Sequence, residues 1–118
     1  MPWNYSQSTG TLTRDNQFVA TGYSGAAAGR NNPAEQAVPN LGPIPQGLYR
    51  IGPPFDAVRQ GPCVMRLTPL GHDALGRDGF LIHGDNLTHN ASTGCIILPR
   101  ATREAIAASP DRDLVVAQ

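Results

Sequence analysis

Residues 79–98 read GFLIHGDNLTHNASTGCIIL, two short apolar runs separated by a polar, turn-rich segment. The first run ends at His83, and the second begins directly after Cys95. Short continuous apolar runs bounded by Gly, Asn, Asp and Ser are typical of buried strands. We therefore predict strands at 79–83 and 95–98 in the interior of a mainly β domain.

Further short strands are predicted on both sides of this stretch. The N-terminal residues are rich in Thr, Ser and aromatic side chains and favour a hairpin that turns at Asp15 and Asn16. One helix is predicted between Pro99 and Pro110, because Pro suits a first helical position and also stops a helix. The remaining predicted strands lie at 3–8, 10–14, 17–23, 47–52, 63–70 and 114–117.

These elements predict a small β-sandwich or partly closed barrel of short strands, with one helix near the C-terminus. Residues 24–46 contain four Pro and three Gly and are predicted to form a long ordered loop, as a lid or a substrate wall. No repeat or linker interrupts the chain. A length of 118 residues then predicts a single domain, 1–118.

Composition excludes several functional classes. The net charge is zero and only 15% of the residues are charged, which argues against a nucleic-acid-binding protein with a basic stripe. All nine basic residues are Arg, so neither a Schiff-base lysine nor a lysine-dependent phosphate loop is available. No apolar run is long enough to span a membrane. Residues 1–10 lack the basic and apolar regions of a secretory signal, so we expect none there.

The chemistry-bearing residues cluster in the quoted stretch. His83 ends one predicted strand, and Cys95 follows the small turn Ser92-Thr93-Gly94 at the start of the next. Adjacent strand ends would bring an imidazole close to a thiol and favour the reactive thiolate. The backbone amides of the turn are candidate oxyanion donors, because Gly94 leaves room for a substrate carbonyl. This set is sufficient for acyl transfer.

Other interpretations of these residues remain open. A Cys that follows Gly is often a packing residue. Cys63 lies inside a predicted strand and fits that role, although a Cys63–Cys95 disulfide is also conceivable in an oxidising compartment. Zinc is a weaker alternative, since Cys63, His72, His83 and Cys95 lack the spacing of a structural zinc site. We predict no metal and no cofactor.

The same residues resemble a known family. The segments 79–85 and 91–98 are similar to the catalytic signature of L,D-transpeptidases of the YkuD type, which has an H-G dipeptide, a spacer and then S-H-G-C before an apolar tail. Residues 42–51, GPIPQGLYRI, resemble the strand that precedes the catalytic half in that family. The resemblance covers about half of the chain, residues 40–100.

The sequence departs from the signature at three points. Thr93 stands where the family has the second His, the spacer is short, and the frequent Arg after the Cys is absent, with Arg100 the candidate to replace it. These departures resemble the compact subgroup of type VI secretion effectors with L,D-transpeptidase activity. That subgroup implies a toxin made in the cytoplasm without a signal peptide and secreted into the periplasm of a target bacterium. Its implied partners are peptidoglycan stem peptides, a secretion-apparatus component and a cognate immunity protein.

The resemblance implies a peptidoglycan-modifying cysteine enzyme, an L,D-transpeptidase or L,D-carboxypeptidase. Cys95 would attack the bond between meso-diaminopimelate and D-Ala in stem tetrapeptides, and His83 would carry the proton. The resulting thioester would pass to water or to a D-amino acid. The predicted supporting residues around the oxyanion hole are Gly94, Thr93, Ser92, Gly84 and Asp85.

Three further assignments stay open at this stage. The group that orients His83 is Asp85, Asp78 or a backbone carbonyl. Substrate-binding candidates are Arg77, Arg100 and His89, because Arg binds carboxylates bidentately. Two other functions remain possible, a cysteine amidase that cuts another stem bond and a peptidoglycan-binding module without catalysis.

Overall fold

The computed structural model describes residues 2–118 of the chain, and Met1 lies outside the described residues. The secondary structure comprises ten strands and one α-helix among these residues. The strands are β1 Trp3–Ser6, β2 Thr11–Arg14, β3 Gln17–Thr21, β4 Tyr23–Ser24, β5 Gly47–Ile51, β6 Phe55–Ala57, β7 Gly61–Leu70, β8 Leu81–His83, β9 Ile96–Ile97 and β10 Asp113–Ala117. The helix is α1 Arg100–Ala108, and short 3₁₀ turns lie at Ala27–Gly29, Pro33–Glu35 and Ala74–Gly76.

The strands form one mixed sheet that curls until its two ends meet. The order is β3-β2-β1-β10-β5-β7-β8-β9-β4, and β6 pairs with β7 at the side. The pairs β1–β10 and β8–β9 are parallel. β3 and β4 stand at opposite ends of this order, yet Gly22 alone separates them in the chain. A single residue spans only about 3.5 Å, so the sheet must roll up into a partly closed barrel.

Gly22 makes this closure sterically possible. Its amide donates to the carbonyl of Gly10 at 2.7 Å. A Cβ atom at Gly22 would lie 1.7 Å from the carbonyl oxygen of Ile97. Ile97 of β9 pairs with Tyr23, the first residue of β4. Only a residue without a side chain fits between the two strands here.

The interior of the curled sheet is one hydrophobic core. Ile82 and Ile96, the apolar centres of β8 and β9, are paired in register and almost completely buried. Helix α1 packs across β7 and contributes Ile106 to the core. The strands that flank the candidate site are therefore held from the inside by apolar packing.

The long loop at 25–46 is fixed to the barrel as a wall. Ile44 is completely buried, and its carbonyl accepts a hydrogen bond from the buried amide side chain of Gln7 at 2.8 Å. Gln36 accepts a second bond from the same Gln7 amide at 3.1 Å and one from the backbone of Gln46 at 3.0 Å. These contacts agree with a wall rather than with a freely moving lid.

The predicted fold class is confirmed: the protein is mainly β, with a single helix near the C-terminus. Two strands were not predicted. β4 has only two residues, and β6 follows Pro53 and Pro54, so neither carries enough periodic signal to be recognised. No helix among residues 2–118 is long and apolar enough to cross a membrane.

Replacing Gly22 with Ala tests the closure. The new Cβ would collide with the Ile97 carbonyl, so we expect a loss of about 1–3 kcal/mol in the free energy of unfolding. Gly52→Ala is the matched control, because its Cβ would meet its nearest atom at an ordinary 3.5 Å. Urea unfolding of both variants measures the difference. Equal stabilities would contradict the proposed role of Gly22 in closing the sheet.

Candidate active site

The strands that carry Cys95 and His83 lie side by side. β8 and β9 are parallel neighbours with Ile82 opposite Ile96 and His83 opposite Ile97. Cys95 directly precedes β9, so its backbone lies next to the paired residues Ile82 and Ile96. The two residues therefore belong to neighbouring segments of the sheet, and the cavity that Cys95 borders does not include His83.

The imidazole of His83 is buried and oriented by the backbone. Only 4% of the residue is exposed, and Nδ1 lies 2.8 Å from the carbonyl oxygen of Gly84. A carbonyl can only accept, so Nδ1 carries the proton and Nε2 keeps a free lone pair. Burial lowers the pKa of His83, with the charge of Arg103 acting in the same direction, whereas the bond to Gly84 and the charge of Asp85 oppose this. The ring is therefore neutral at neutral pH.

Cys95 is half-buried and borders a cavity of about 280 Å³. Its Sγ donates a weak hydrogen bond to the carbonyl oxygen of Gly79 at 3.9 Å, and not to His83. Burial raises the pKa of the Cys95 thiol, while a hydrogen bond from the backbone of Leu81 and the charge of Arg77 act against this. The cavity is lined by Pro39, Asn40, Gly76, Arg77, Asp78, Gly79, Phe80, Thr93, Gly94 and Cys95.

Ser92 organises the turn before the nucleophile candidate. Its buried hydroxyl donates to the carbonyl of Cys95 at 2.6 Å and accepts from the amides of Gly94 at 3.1 Å and Gly25 at 2.9 Å. The amide of Gly94 is thereby occupied. The amides of Thr93 and Cys95 have no such acceptor among residues 2–118, and they are the remaining oxyanion candidates of the turn.

Ser24 ties the same turn to the loop wall. Its hydroxyl donates to the carbonyl of Gly94 at 2.9 Å and accepts from the amide of Ile44 at 2.9 Å. Sequence analysis did not select Ser24, because a Ser at the start of a Gly-rich loop has no distinctive pattern. Its role arises only from the β4–β9 pairing.

Arg77 lines the Cys95 cavity and is bonded to backbone carbonyls. Sequence analysis predicted that its guanidinium binds a substrate carboxylate. Nη1 instead donates to the carbonyls of Gln36 and Pro43, and Nη2 to those of Gly42 and Thr93. Since both terminal nitrogens are engaged with the backbone, the bidentate fork is already in use.

The predicted helpers in the 84–91 segment form a separate network. The carboxylate of Asp85 accepts from the hydroxyl of Tyr23 at 2.5 Å and from Nδ1 of His89 at 2.8 Å. The Tyr23 hydroxyl also accepts from the amide of Ala91 at 2.9 Å. Asp85 therefore holds this segment in place, while the Gly84 carbonyl orients His83. The exposed His89 does not border the Cys95 cavity.

Arg100 and the nearby Arg103 do not border the Cys95 cavity. Arg100 is exposed and forms an ion pair with Glu104 within the helix, at 3.3 Å. Arg103 is buried and donates to the carbonyls of Leu98, Pro62 and Cys63. Both line a second cavity of about 290 Å³, away from Cys95. Arg103 was not predicted as a site residue, because in the sequence it resembles any polar residue of a helix.

The other Cys and His candidates lie elsewhere in the fold. Cys63 is half-buried and borders a different cavity, next to α1, and both thiols are free. His72 lies beside β5, where Nε2 is 2.9 Å from the carbonyl of Leu48. Among residues 2–118 no group of three or more His, Cys, Asp or Glu side chains could hold a metal ion.

Comparison with known proteins supplies the family. No curated protein matches the chain. The sequence profile of the Tlde1 domain, which describes a family of type VI secretion effectors, matches residues 19–115. The match begins in β3 and ends in β10, and so includes both strands of the candidate site. Because it covers most of the sequence, the chain belongs to the Tlde1 domain family of type VI secretion effectors.

Proposed function

We propose that this protein is a peptidoglycan-modifying cysteine enzyme. It attacks the bond between meso-diaminopimelate and D-Ala in stem tetrapeptides through a Cys95 thioester. The observation that carries the proposal is the pairing of β8 with β9. This pairing places the half-buried thiol of Cys95 at the edge of a cavity. The neighbouring strand carries His83, whose Nδ1 is bonded to the carbonyl of Gly84.

The charge state of the pair favours general-base catalysis. Burial raises the pKa of Cys95 and lowers the pKa of His83, so the resting site holds a neutral thiol and a neutral imidazole. Since Nδ1 of His83 is protonated, Nε2 is the atom that accepts the thiol proton. The thiol must first turn away from the carbonyl of Gly79, which requires a rotation about its Cα–Cβ bond.

The reaction then follows two acyl-transfer steps. The Cys95 sulfur forms a bond to the diaminopimelate carbonyl carbon while its proton passes to Nε2 of His83. The tetrahedral intermediate collapses, the C–N bond to D-Ala breaks, and His83 returns the proton to the leaving amine. Water then hydrolyses the thioester, or the amine of a D-amino acid replaces D-Ala.

The developing oxyanion needs donors that the resting site does not use. The amides of Thr93 and Cys95 meet this requirement, whereas the Gly94 amide already donates to Ser92. Gly94 has φ +143, a value that favours glycine, so the turn exposes backbone rather than side chain to the substrate.

The family assignment supports a setting for this chemistry. A type VI effector is secreted, and peptidoglycan stem peptides are accessible in the periplasm of the target cell. We propose that the protein acts there, with a secretion-apparatus component as its carrier. Effectors of this kind call for an immunity protein in the producing cell.

Loss of either member of the pair should abolish the reaction. We expect Cys95→Ala to release no D-Ala from purified tetrapeptide muropeptides, and His83→Ala to lose about 10²- to 10⁴-fold in kcat. Mass spectrometry of the muropeptides measures both the loss of alanine and its exchange for an added D-amino acid.

Cys63→Ala is the matched control and should keep wild-type turnover, because that thiol borders another cavity. Turnover at the wild-type rate by folded Cys95→Ala would overturn the assignment. Cleavage at another stem bond would assign the protein to the amidases. No reaction by folded wild-type protein would leave a binding module as the better interpretation.

The pH profile should carry the signature of a buried imidazole. Because the pKa of His83 is lowered, its base form persists below the ordinary value of 6.5. We therefore expect kcat/KM for D-Ala release to fall on the acid side with a midpoint below 6.5. A midpoint at or above 6.5, with the fold intact by circular dichroism, would contradict this role for His83.

Removing the Ser92 hydroxyl should disorder the turn at residues 92–94 that precedes Cys95, called the nucleophile turn below. Ser92→Ala leaves the buried amides of Gly94 and Gly25 without their acceptor, at a cost of about 1–3 kcal/mol in the free energy of unfolding. We expect kcat to fall while KM changes little, since the turn positions the attacking sulfur. Unchanged kcat would show that the turn is held by other contacts.

A further inference from the structure

Arg77 is a buried cation that is not paired with a carboxylate among residues 2–118. It is 8% exposed, and its two terminal nitrogens donate to four backbone carbonyls, of Gln36 at 2.6 Å, Pro43 at 2.8 Å, Gly42 at 3.1 Å and Thr93 at 3.4 Å. Carbonyl dipoles satisfy the N–H groups but leave the positive charge uncompensated. Burying such a charge is costly, so its location calls for an explanation.

The charge stands directly beside the nucleophile turn. Arg77 and Cys95 line the same cavity, and a Cβ at Gly94 would lie 2.5 Å from Nη2 of Arg77. The guanidinium also lies over the ring of Phe80, 5.2 Å from its centroid. The Arg77 side chain thus packs on the ring of Phe80 and is hydrogen-bonded to both the loop 25–46 and the turn 92–94.

Only two charged side chains line this cavity. Asp78 is exposed, while Arg77 is buried against the turn, and no other ionisable group except Cys95 itself borders the space. His83 does not border this cavity and is neutral at neutral pH. A negative charge that forms on the Cys95 sulfur therefore has Arg77 as its one positive neighbour in the cavity wall.

We propose that Arg77 is a positioning residue with two linked tasks: it fixes the loop wall to the nucleophile turn and supplies the positive charge that stabilises the Cys95 thiolate. The proposal rests on the assignment of Cys95 as the nucleophile in the proposed function. It replaces the expected role of Arg77 as a receptor for substrate carboxylates.

Alkylation of Cys95 tests this role without peptidoglycan. In a Cys63→Ala background Cys95 is the only thiol, so its reaction with iodoacetamide from pH 6 to 10 reports its ionisation. We expect Arg77→Met to move the midpoint of the profile upward by about one unit, which slows alkylation about tenfold below the midpoint.

Arg112→Met is the matched control. Arg112 also donates to four backbone carbonyls, those of Ile51, Gly52, Ile106 and Ser109. It borders a different cavity, so its loss removes a comparable clamp without removing charge from the neighbourhood of Cys95. We expect a wild-type midpoint in this variant. An equal shift in both variants would assign the effect to loosened packing and overturn the proposal.

Arg77→Lys separates the two tasks and decides the matter if Arg77→Met does not fold. Lys keeps the charge but cannot reach four carbonyls, so the Tm should fall while the alkylation midpoint stays near that of wild type. A midpoint that rises as expected for the Met variant would overturn the charge role, and so would an unshifted midpoint in folded Arg77→Met. Failure of the muropeptide assay alone would overturn the proposed function and leave the alkylation result standing.

Discussion

The structure depends on the single-residue connection between β3 and β4. These strands lie at opposite ends of the sheet order, and Gly22 alone joins them. The connection forces the sheet to close, and closure places β4 beside β9. That pairing brings Ser24 to the carbonyl of Gly94, so the geometry of the nucleophile turn is fixed by a contact between distant parts of the chain.

Three arginines of this small protein act as backbone clamps. Arg77, Arg103 and Arg112 each donate to three or four carbonyls that belong to different segments. A planar fork with five donors can join several chain segments at once, which the point charge of Lys cannot do. The absence of Lys from the sequence agrees with this use. Arg77 in this way holds the irregular loop 25–46 against the turn that precedes Cys95.

Burial shifts the pKa values of the two candidate catalytic residues in opposite directions. Burial penalises the charged form of each group, so it raises the pKa of the Cys95 thiol and lowers the pKa of the His83 imidazole. Both groups are consequently neutral before the substrate arrives. The positive charge of Arg77 acts against the rise in the Cys95 pKa, and the carbonyl of Gly84 accepts from Nδ1 of His83 and so leaves Nε2 unprotonated.

The sequence by itself determined the mainly β class, the single helix, and the two apolar strands that end at His83 and begin after Cys95. These features are local, because apolar runs, Pro and Gly act over a few residues. Tertiary structure alone decided that Gly84 orients His83, that Asp85 binds Tyr23 and His89 instead, and that Arg77 clamps backbone carbonyls. Each of these depends on which polar partner the folded chain brings within hydrogen-bonding distance of a side chain. Residue spacing cannot indicate which backbone carbonyl a side chain will contact, because every residue has a backbone carbonyl.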